Sequence, residues 1–410
     1  MQAHPTVRCV KPPGSSAEGR LAGDAQRRDL VRPLLAWFRL NARDLPWRRT
    51  RDPYAIWISE IMLQQTQVRT VIPYWQRWMR ALPRAQSLAC ARPARVLKLW
   101  EGLGYYTRAA NLRKAARMIV EKHAGHFPER FADVLALPGV GRYTAGAICS
   151  IAFNQPTPVL DGNVVRVLTR IFGITENPRE KATGARLWKL AAELVEEAAK
   201  LRRPVQFSNG TGTAIPNCSH FNQALMELGA VICAPRWPRC PLCPVRKFCV
   251  AFREDRVAQL PNLGPRVAST RRRFAAFIIE RKGRYLVHQR PAGVVNARLW
   301  EFPNAEVDGR GHRSQARQLA KDLFGSRPFA LQLLHQVHHT ITRYRITMDV
   351  FRAEFADGSL RAISNRRWRS LAPFPPEVTE GITDEQYVRN VVDILFRPQR
   401  SKPEAKLVSL

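Results

Sequence analysis

The first half of the chain repeats its apolar residues at the spacing of helices. From Asp29 to about Lys200, apolar side chains recur every three or four positions, as in the segments LVRPLLAWF, IWISEIMLQQTQVRTVI and LWKLAAELVEEA. Proline and glycine interrupt the pattern at short intervals, which is typical of helix ends and turns. We therefore predict a mainly α domain over residues 29–250.

The pattern changes after Thr270 to short alternating runs. The segments FAAFIIE, RYLVHQR and YRITMDVFRAEF are typical of β-strands, whereas SQARQLAKDLF and EQYVRNVVDILF keep a helical spacing. We predict an α+β domain over residues 271–396, connected by a polar, proline-containing linker over residues 251–270. The two ends, residues 1–28 and 397–410, are predicted to be disordered.

The charge of the chain points to a polyanionic partner. The 410 residues include 66 Lys and Arg against 33 Asp and Glu, which gives a net charge of +33. Both parts are basic, with 41 basic and 19 acidic residues up to Thr270 and 25 and 14 after it. Positive charge spread over folded surfaces favours nucleic acid, although a merely basic solvated surface is the alternative.

The sequence gives no indication of a membrane protein. No apolar run approaches the ~20 residues of a membrane-spanning helix. The first 28 residues contain no apolar stretch of signal-peptide length. We expect a soluble, cytoplasmic protein.

Four of the eight cysteines form a tight group near residue 240. Their spacing is C-x6-C-x2-C-x5-C, which allows four thiolates to surround one zinc ion or one iron-sulfur cluster. Zinc sites more often pair two short-spaced hairpins, so the spacing favours a [4Fe-4S] cluster, with zinc or four unrelated thiols as alternatives. The group consists of Cys233, Cys240, Cys243 and Cys249.

Two carboxylates and a glycine-rich turn are further candidates for chemistry. Gly139 and Gly141, in LPGVGRYTAGA, are predicted to adopt backbone conformations that other residues avoid, which would let N–H groups at the start of the following helix approach a phosphate, although such a turn can be purely structural. Asp161 directly precedes a helix, so it is either a helix N-cap or a functional carboxylate. Glu60 lies among apolar neighbours, where desolvation favours its protonated form, unless it is simply a surface glutamate.

These motifs together resemble the helix-hairpin-helix DNA glycosylases of the endonuclease III type. The turn LPGVGR, an aspartate about twenty residues later and the four cysteines follow one another in that order. The segments YAIWISEIMLQQTQV, GLGYY, GRYTAGA, LDGNV and FNQALMELGA sharpen the resemblance to the adenine DNA glycosylases. The close resemblance covers about residues 29–250.

The resemblance implies roles for the two carboxylates. Glu60 would protonate a ring nitrogen of a flipped-out adenine, while Asp161 would stabilise the cationic sugar. Asn163 and Tyr143 match positions that orient these groups. Superfamily members that also cut the DNA strand carry a lysine where this chain has Tyr143, so the resemblance implies base removal without strand cleavage.

The resemblance also implies DNA-contacting residues. Gln223 matches the residue that reads the adenine edge, and Arg48 and Leu63 match the wall of its pocket. Gln65 and Tyr105 match residues that wedge into the base stack, with a buried aromatic as the alternative for Tyr105.

The second domain resembles a Nudix-like domain that recognises 8-oxoguanine opposite adenine. The stretch Arg317–Asp322 lacks two of the three carboxylates that an active Nudix helix needs for magnesium, so lesion binding is expected instead of hydrolysis. Ile341, Thr342 and Arg343 align with a Phe-Ser-His element that touches the lesion, and Thr342 keeps the hydroxyl. The expected partner is double-stranded DNA with adenine opposite 8-oxoguanine or guanine, bound by a monomer.

Two other functions remain open at this point. A bifunctional glycosylase that also cuts the DNA strand is disfavoured by Tyr143. A catalytically silent DNA-binding protein is disfavoured because both carboxylates are present. The segment VQFSNGTGTAIPN before Cys218 is an insertion without a predicted role.

Overall fold

A computed structural model describes residues 17–201, 217–265, 268–291, 300–307, 313–341, 343–360 and 366–369. The described residues form two compact units. The first unit runs to Ala89 and continues from Ala115 to Gly264. The second combines Cys90–Lys114 with the residues from Pro265 onward. No helix in the described part of the chain is long and apolar enough to cross a membrane.

In the described part of the chain up to residue 253, the regular elements are all helices, as the apolar spacing predicts. They are α1 Ala17–Asn41, α2 Pro53–Leu63, α3 Val68–Ala81, α4 Ala85–Cys90, α5 Pro93–Trp100, α6 Thr107–Lys122, α7 Phe131–Leu135, α8 Arg142–Phe153, α9 Gly162–Ile171, α10 Lys181–Ala199, α11 Asn217–Val231 and α12 Val250–Arg253. Short 3-10 helices lie at Pro46–Arg48, Cys240–Leu242 and Arg246–Phe248.

Helix α2 is buried on all sides within the first unit. Every residue from Tyr54 to Met62 is buried. Pro53 occupies the first turn, and the Asp52 carboxylate accepts a hydrogen bond from the Tyr54 N–H at 3.0 Å, which fixes the start of the helix. Helix α8 packs against α2, and α11 packs against α1, α8 and α9.

Glycine allows α11 to approach α9 closely. A Cβ at Gly229 would lie 2.6 Å from the Asn163 Cβ and 3.1 Å from its carbonyl oxygen, closer than real side chains come. A larger residue at this position would push the two helices apart. The start of α9, which carries Asp161 and Asn163, is therefore fixed by direct contact with α11.

Two predicted boundaries are wrong. Residues 17–28 were predicted to be disordered, but they form the first turns of α1, because AEGRLAGDAQRR contains good helix formers and no proline. The predicted linker over residues 251–270 is partly folded into the first unit. Ala251 and Leu260 are buried, and the Leu260 carbonyl accepts a 2.8 Å hydrogen bond from Arg170 Nε. Residues 1–16 and 397–410, as well as the predicted helix EQYVRNVVDILF, lie outside the described residues.

The strands of the second unit form two four-stranded sheets. The strands are β1 Thr270–Ile278, β2 Glu280–Arg281, β3 Arg284–Gln289, β4 Trp300–Glu301, β5 Asn304–Glu306, β6 Ala330–Ile341, β7 Tyr344–Glu354 and β8 Arg366–Arg369, and α13 is Arg313–Phe324. The first sheet has the order β5-β1-β7-β6, with β1 and β7 parallel. In the second sheet, β3 pairs with β2 and with β4, and it also pairs with β8.

Helix α13 covers the apolar part of the first sheet. Ala316, Ala320 and Phe324 of the helix join Phe277 of β1 and Phe351 of β7 in one buried cluster. The Phe277 and Phe324 rings meet edge to face at 5.7 Å. Among the described residues from 268 onward, one helix and two sheets, one mixed and one antiparallel, agree with the predicted α+β class.

Candidate active site

Glu60 lies inside the first unit, near the end of the buried helix α2. Its exposed fraction is 6 %. Burial raises the pKa of Glu60 to about 7, and the negative charge of Asp161 adds to this effect. A hydrogen bond from Tyr143 and the charge of Arg48 act in the opposite direction. The predicted apolar environment is confirmed, and Glu60 is not a surface glutamate.

Tyr143, in the first turn of α8, is the hydrogen-bond donor to Glu60. Its hydroxyl donates to Glu60 Oε2 at 2.8 Å. The Tyr143 hydroxyl oxygen also lies 3.3 Å from the Met226 Sδ atom. Burial, followed by the charges of Glu60 and Asp161, raises the pKa of Tyr143 well above its ordinary value. The phenol is therefore neutral and serves as a donor at neutral pH.

Asp161 caps α9 and also belongs to the site. Its Oδ1 accepts the Val164 N–H at 2.7 Å, and its Oδ2 accepts a bond from Asn163 Nδ2 at 2.9 Å. The N-cap prediction is thus confirmed. Burial raises the pKa of Asp161, while these hydrogen bonds oppose the change. Because Asp161 also raises the pKa of Glu60, the two carboxyl groups influence one another.

Asn163 is in turn held by a buried arginine. Arg166 Nη2 donates to Asn163 Oδ1 and to the Gly229 carbonyl, both at 2.8 Å. Arg166 Nε donates to the Cys233 carbonyl, also at 2.8 Å. A continuous line of hydrogen bonds therefore runs from Asp161 to the first residue of the cysteine group.

The backbone of the glycine turn agrees with the prediction at Gly139 and differs from it at Gly141. Gly139 has a φ of 80°, which only glycine adopts readily. Gly141, the N-cap of α8, has an extended backbone with φ at −97°, which any residue can adopt, so the prediction of a glycine-only conformation is wrong there. A Cβ at Gly141 would meet nothing within 4 Å. The approach to the start of α8 is open on that side.

Arg48, a predicted pocket residue, belongs to a buried ion cluster. Glu227 on α11 accepts bonds from Arg48 Nη2 at 2.9 Å and from Arg43 Nε at 2.7 Å, and its side chain is 1 % exposed. Despite its burial, hydrogen bonds from Arg43 and Arg48 lower the pKa of Glu227 to about 2. Glu227 is therefore ionised, and it holds Arg48 in place.

The other predicted pocket residues lie on the same helices. Leu63 is the last residue of α2 and is half-buried. Gln223 is buried on α11, where its Nε2 donates to Ser219 Oγ at 3.1 Å. One turn later, Met226 and Glu227 contact Tyr143 and Arg48. Helix α11 thus carries both Gln223 and, one turn later, the two residues that contact Tyr143 and Arg48.

Both predicted wedge residues have a left-handed backbone. Gln65, just after α2, has a φ of 56° and is exposed. Tyr105, in the Cys90–Lys114 segment of the second unit, has a φ of 48° and is 45 % exposed. Such conformations are uncommon for large residues and concentrate at functional sites. The alternative of a buried aromatic at Tyr105 is wrong.

The four cysteines surround one cavity of the first unit. Cys233, Cys240, Cys243 and Cys249 line it together with Arg170 and Arg246. Arg170 Nη1 lies 3.3 Å from Cys233 Sγ. Burial, opposed by a backbone hydrogen bond, raises the pKa of Cys243 to about 12, to which neighbouring thiolates also contribute. The spacing thus correctly predicts that the four thiols converge.

Comparisons with known proteins agree with this geometry. Residues 58–193 match the family model described as HhH-GPD superfamily base excision DNA repair protein, and residues 275–378 match that of the NUDIX domain. The rat protein named adenine DNA glycosylase is 39 % identical over 376 residues, which cover 78 % of this chain and 69 % of the rat chain. The chain belongs to the adenine DNA glycosylase family. It is a DNA N-glycosylase of base excision repair.

Further relatives include a human protein and a solved structure. The human adenine DNA glycosylase is 38 % identical over 377 residues, covering 78 % of this chain and 65 % of the human chain. A solved thermostable thymine-DNA glycosylase is 32 % identical, covers 57 % of this chain and 99 % of that chain, and aligns with a TM-score of 0.48.

Several residues of this adenine DNA glycosylase site have no counterpart in the sequence predictions. They are Arg43, Arg166, Arg170, Met226 and Glu227. One signal was available for two of them, because Arg166 and Arg170 stand four residues apart within the otherwise apolar segment VVRVLTRI. Buried arginines at that spacing indicate a polar partner on the facing element, here the loop that starts at Cys233.

The Nudix-like unit of this glycosylase keeps one of the three carboxylates of a hydrolase helix, Asp322, and has Gln318 and Lys321 at the other two positions. On α13, Arg317 and Lys321 are exposed and Ala320 is buried, while Asp322 accepts a 2.9 Å hydrogen bond from Gln318. Thr342 lies outside the described residues. Its neighbour Arg343 is exposed and donates to the Tyr344 hydroxyl at 2.9 Å.

Proposed function

We propose that the protein removes adenine opposite 8-oxoguanine, and opposite guanine, from double-stranded DNA and leaves an abasic site. The supporting observation is Glu60, a buried carboxyl whose pKa of about 7 lets it hold a proton at neutral pH. A proton donor of this kind is what the departing base requires, because adenine is a poor leaving group as an anion.

In this proposal, the base must first leave the double helix. The glycosidic bond is inaccessible in stacked DNA, so adenine is flipped into the pocket near Glu60. Gln65 and Tyr105 wedge into the vacated stack, for which their exposure and left-handed backbones are suited. Gln223, Arg48 and Leu63 surround the base.

The two carboxyl groups then divide the chemistry. Glu60 transfers its proton to a ring nitrogen of adenine, and the bond to the sugar breaks. Asp161 stabilises the positive charge that develops on the sugar, and Asn163 and the Val164 N–H hold its oxygens in place. Glu60, now ionised, accepts a proton from the water that attacks the sugar. Tyr143 stabilises that ionised state through its 2.8 Å hydrogen bond.

We further propose that the enzyme does not cut the strand. Strand cleavage by the related lyases needs an amine nucleophile at the position of Tyr143. A neutral phenol already engaged by Glu60 cannot form a Schiff base. The product is therefore an abasic site that breaks only on treatment with alkali.

We propose that the cysteine cavity holds a [4Fe-4S] cluster and not a single zinc ion, since the C-x6-C-x2-C-x5-C spacing favours the cluster. Among the described residues, no group of three or more His, Cys, Asp or Glu side chains is close enough to hold a metal ion. The four thiols nevertheless line one cavity, and the guanidinium groups of Arg170 and Arg246 line it too, which offsets thiolate charge.

In this proposal the cluster is structural. Cys233, Cys240, Cys243 and Cys249 would hold it, and when bound it would fix the loop 233–249 and its basic residues for contact with DNA. The hydrogen bonds from Arg166 and Arg170 connect this loop to α9. Iron analysis and a broad absorption near 400 nm, typical of iron-sulfur proteins, are the expected observations. Stoichiometric zinc without iron would refute the assignment.

The decisive experiment is single-turnover cleavage of four labelled duplexes. They contain adenine opposite 8-oxoguanine, adenine opposite guanine, adenine opposite thymine, or thymine glycol, and each is analysed with and without alkali. We expect alkali-dependent breaks at adenine opposite 8-oxoguanine, and more slowly opposite guanine. Breaks without alkali at thymine glycol, or trapping of a covalent adduct by borohydride, would instead identify a bifunctional enzyme.

The remaining aspects of the proposal are the oligomeric state of the protein and its location in the cell. We propose that the enzyme acts as a monomer on cytoplasmic, nucleoid-associated DNA. Sedimentation of the free protein and of its complex with one duplex tests the monomer, for which we expect one protein per lesion.

A further inference from the structure

One face of the first sheet in the second unit changes character along its length. Arg271 and Arg273 of β1 share this face with Ala275 and Phe277, since alternate residues of a strand point the same way. Ala275 and Phe277 lie in the buried cluster beneath α13. The arginine end of the same face lies beyond this cluster.

This arginine end forms an open depression of about 370 Å³. The lining residues come from the three neighbouring strands β1, β7 and β6. They are Arg271, His338, Thr340, Arg345, Ile346 and Thr347. The described lining residues therefore combine two cations with hydroxyl and imidazole groups, and none of them is a carboxylate.

The two arginines stand directly beside each other. Arg271 and Arg345 are partners in the parallel register of β1 and β7, and both are exposed. Like charges at facing positions of a sheet repel each other and destabilise it. An anion between them would turn this repulsion into two attractive contacts.

Other arginines of the same strands are neutralised by carboxylates. Arg273 pairs with Asp349 at 2.7 Å, Arg272 with Glu306, and Arg352 with Glu280 at 3.2 Å. Within the described residues, neither Arg271 nor Arg345 has an acidic partner. Among the described residues of this sheet, the depression is thus where two neighbouring arginines have no acidic partner and can bind an anion.

The neighbouring polar groups match a phosphate. The hydroxyl groups of Thr340 and Thr347 can donate hydrogen bonds, and His338 Nδ1 lies 3.2 Å from Thr347 Oγ1. Two guanidinium groups with hydroxyl donors are the set that recognises phosphate oxygens. Thr340 and Arg345 are paired in the β6–β7 hairpin, one pair before its turn, which contains Arg343.

We propose that Arg271 and Arg345, with Thr340 and Thr347, form a phosphate-binding site on the Nudix-like unit. The ligand is a phosphate of the DNA backbone, so the inference rests on the proposed function for the source of the phosphate. A free polyphosphate has the same chemistry and is the second possible source.

The test compares two doubly substituted full-length proteins. Arg271→Ala/Arg345→Ala removes the free arginines, and Arg272→Ala/Arg352→Ala removes the same charge from two paired arginines of the same strands. Binding to a duplex with adenine opposite 8-oxoguanine is measured over a range of salt concentrations. For the first protein, we expect roughly tenfold weaker binding and a salt slope smaller by about 0.9, the contribution of one phosphate contact.

The control protein is expected to keep the wild-type salt slope, and inorganic tripolyphosphate distinguishes the sources. A smaller slope for Arg271→Ala/Arg345→Ala alone supports DNA as the source. An unchanged slope, with tripolyphosphate binding that is lost in this protein, supports a free polyphosphate. Equal slopes for both proteins without tripolyphosphate binding would overturn the site. Adenine excision by the wild type, measured in parallel, tests the proposed function separately.

Discussion

The two units differ in the carboxyl groups at their candidate functional positions. In the first, Glu60, Asp161 and Glu227 are buried or nearly so, and each is held by hydrogen bonds from neighbouring residues. In the second, the helix that would carry the three carboxylates of a hydrolase has Gln318 and an exposed Lys321 at two of these positions. Keeping a carboxyl group buried is costly unless its protonation or partners compensate. The first unit retains two such groups where the proposed chemistry needs them, whereas the second pairs its buried carboxylates with arginines.

The largest expected effect of a single change is at Glu60. We expect Glu60→Gln to lower single-turnover excision by roughly 10³-fold or more, because the amide cannot supply the proton. Duplex binding should survive. The measurement is quenched-flow excision on adenine opposite 8-oxoguanine.

The stability of the same variant is an independent control. The pKa of Glu60 is raised in the folded state, so folding stability decreases as the pH rises from about 4.5 to about 7, where the buried group ionises. Glu60→Gln should therefore be more stable than the wild type at pH 8 in urea unfolding. A less stable variant with wild-type turnover would contradict the assignment.

The next largest effect is expected at the ion cluster of Glu227. Glu227→Gln leaves Arg43 and Arg48 without their anion, so we expect a loss of about 3 kcal/mol in the free energy of unfolding. The lowered pKa of Glu227 means that its contribution is present above pH 4.5 and is lost as the pH falls towards 2. Urea unfolding at pH 7 and pH 3 measures both points. Equal stability of variant and wild type at pH 7 would show that the cluster is not stabilising.

A smaller effect is expected at Tyr143. Tyr143→Phe removes the hydrogen bond to ionised Glu60, which we expect to slow excision by about tenfold. Because this bond lowers the pKa of Glu60, the variant should also lose activity at a higher pH than the wild type does. Single-turnover rates between pH 6 and 9 check both expectations. A merely structural role would lower the rate without moving the pH profile.

The smallest effect is expected on the Nudix-like helix. Asp322 is exposed on α13 and bonded to Gln318, so Asp322→Ala should change the free energy of unfolding by less than about 0.5 kcal/mol. Excision should stay within twofold of the wild type. A large loss of activity would show that this helix retains a function of its own, and the comparison between the units would then fail.

The sequence predicts the local features of the site better than the long-range hydrogen bonds that hold its residues in place. Apolar spacing locates the helices, and cysteine spacing predicts the convergence of four thiols, because both signals are periodic or short-range. The hydrogen bonds from Arg43 to Glu227 and from Arg166 to Cys233 join residues 184 and 67 positions apart. No local pattern contains such pairs. Gly141 shows the converse, since its motif suggests a special backbone that the structure does not have.

The pH dependence of single-turnover excision tests the central claim most directly, namely that desolvated Glu60 is the proton donor. Glu60 must be protonated to act, and its pKa is raised to about 7. The rate with adenine opposite 8-oxoguanine should therefore be constant at acidic pH and fall about tenfold per pH unit above 7. A rate that stays constant from pH 6 to 9, with binding unchanged, would contradict the assignment of Glu60.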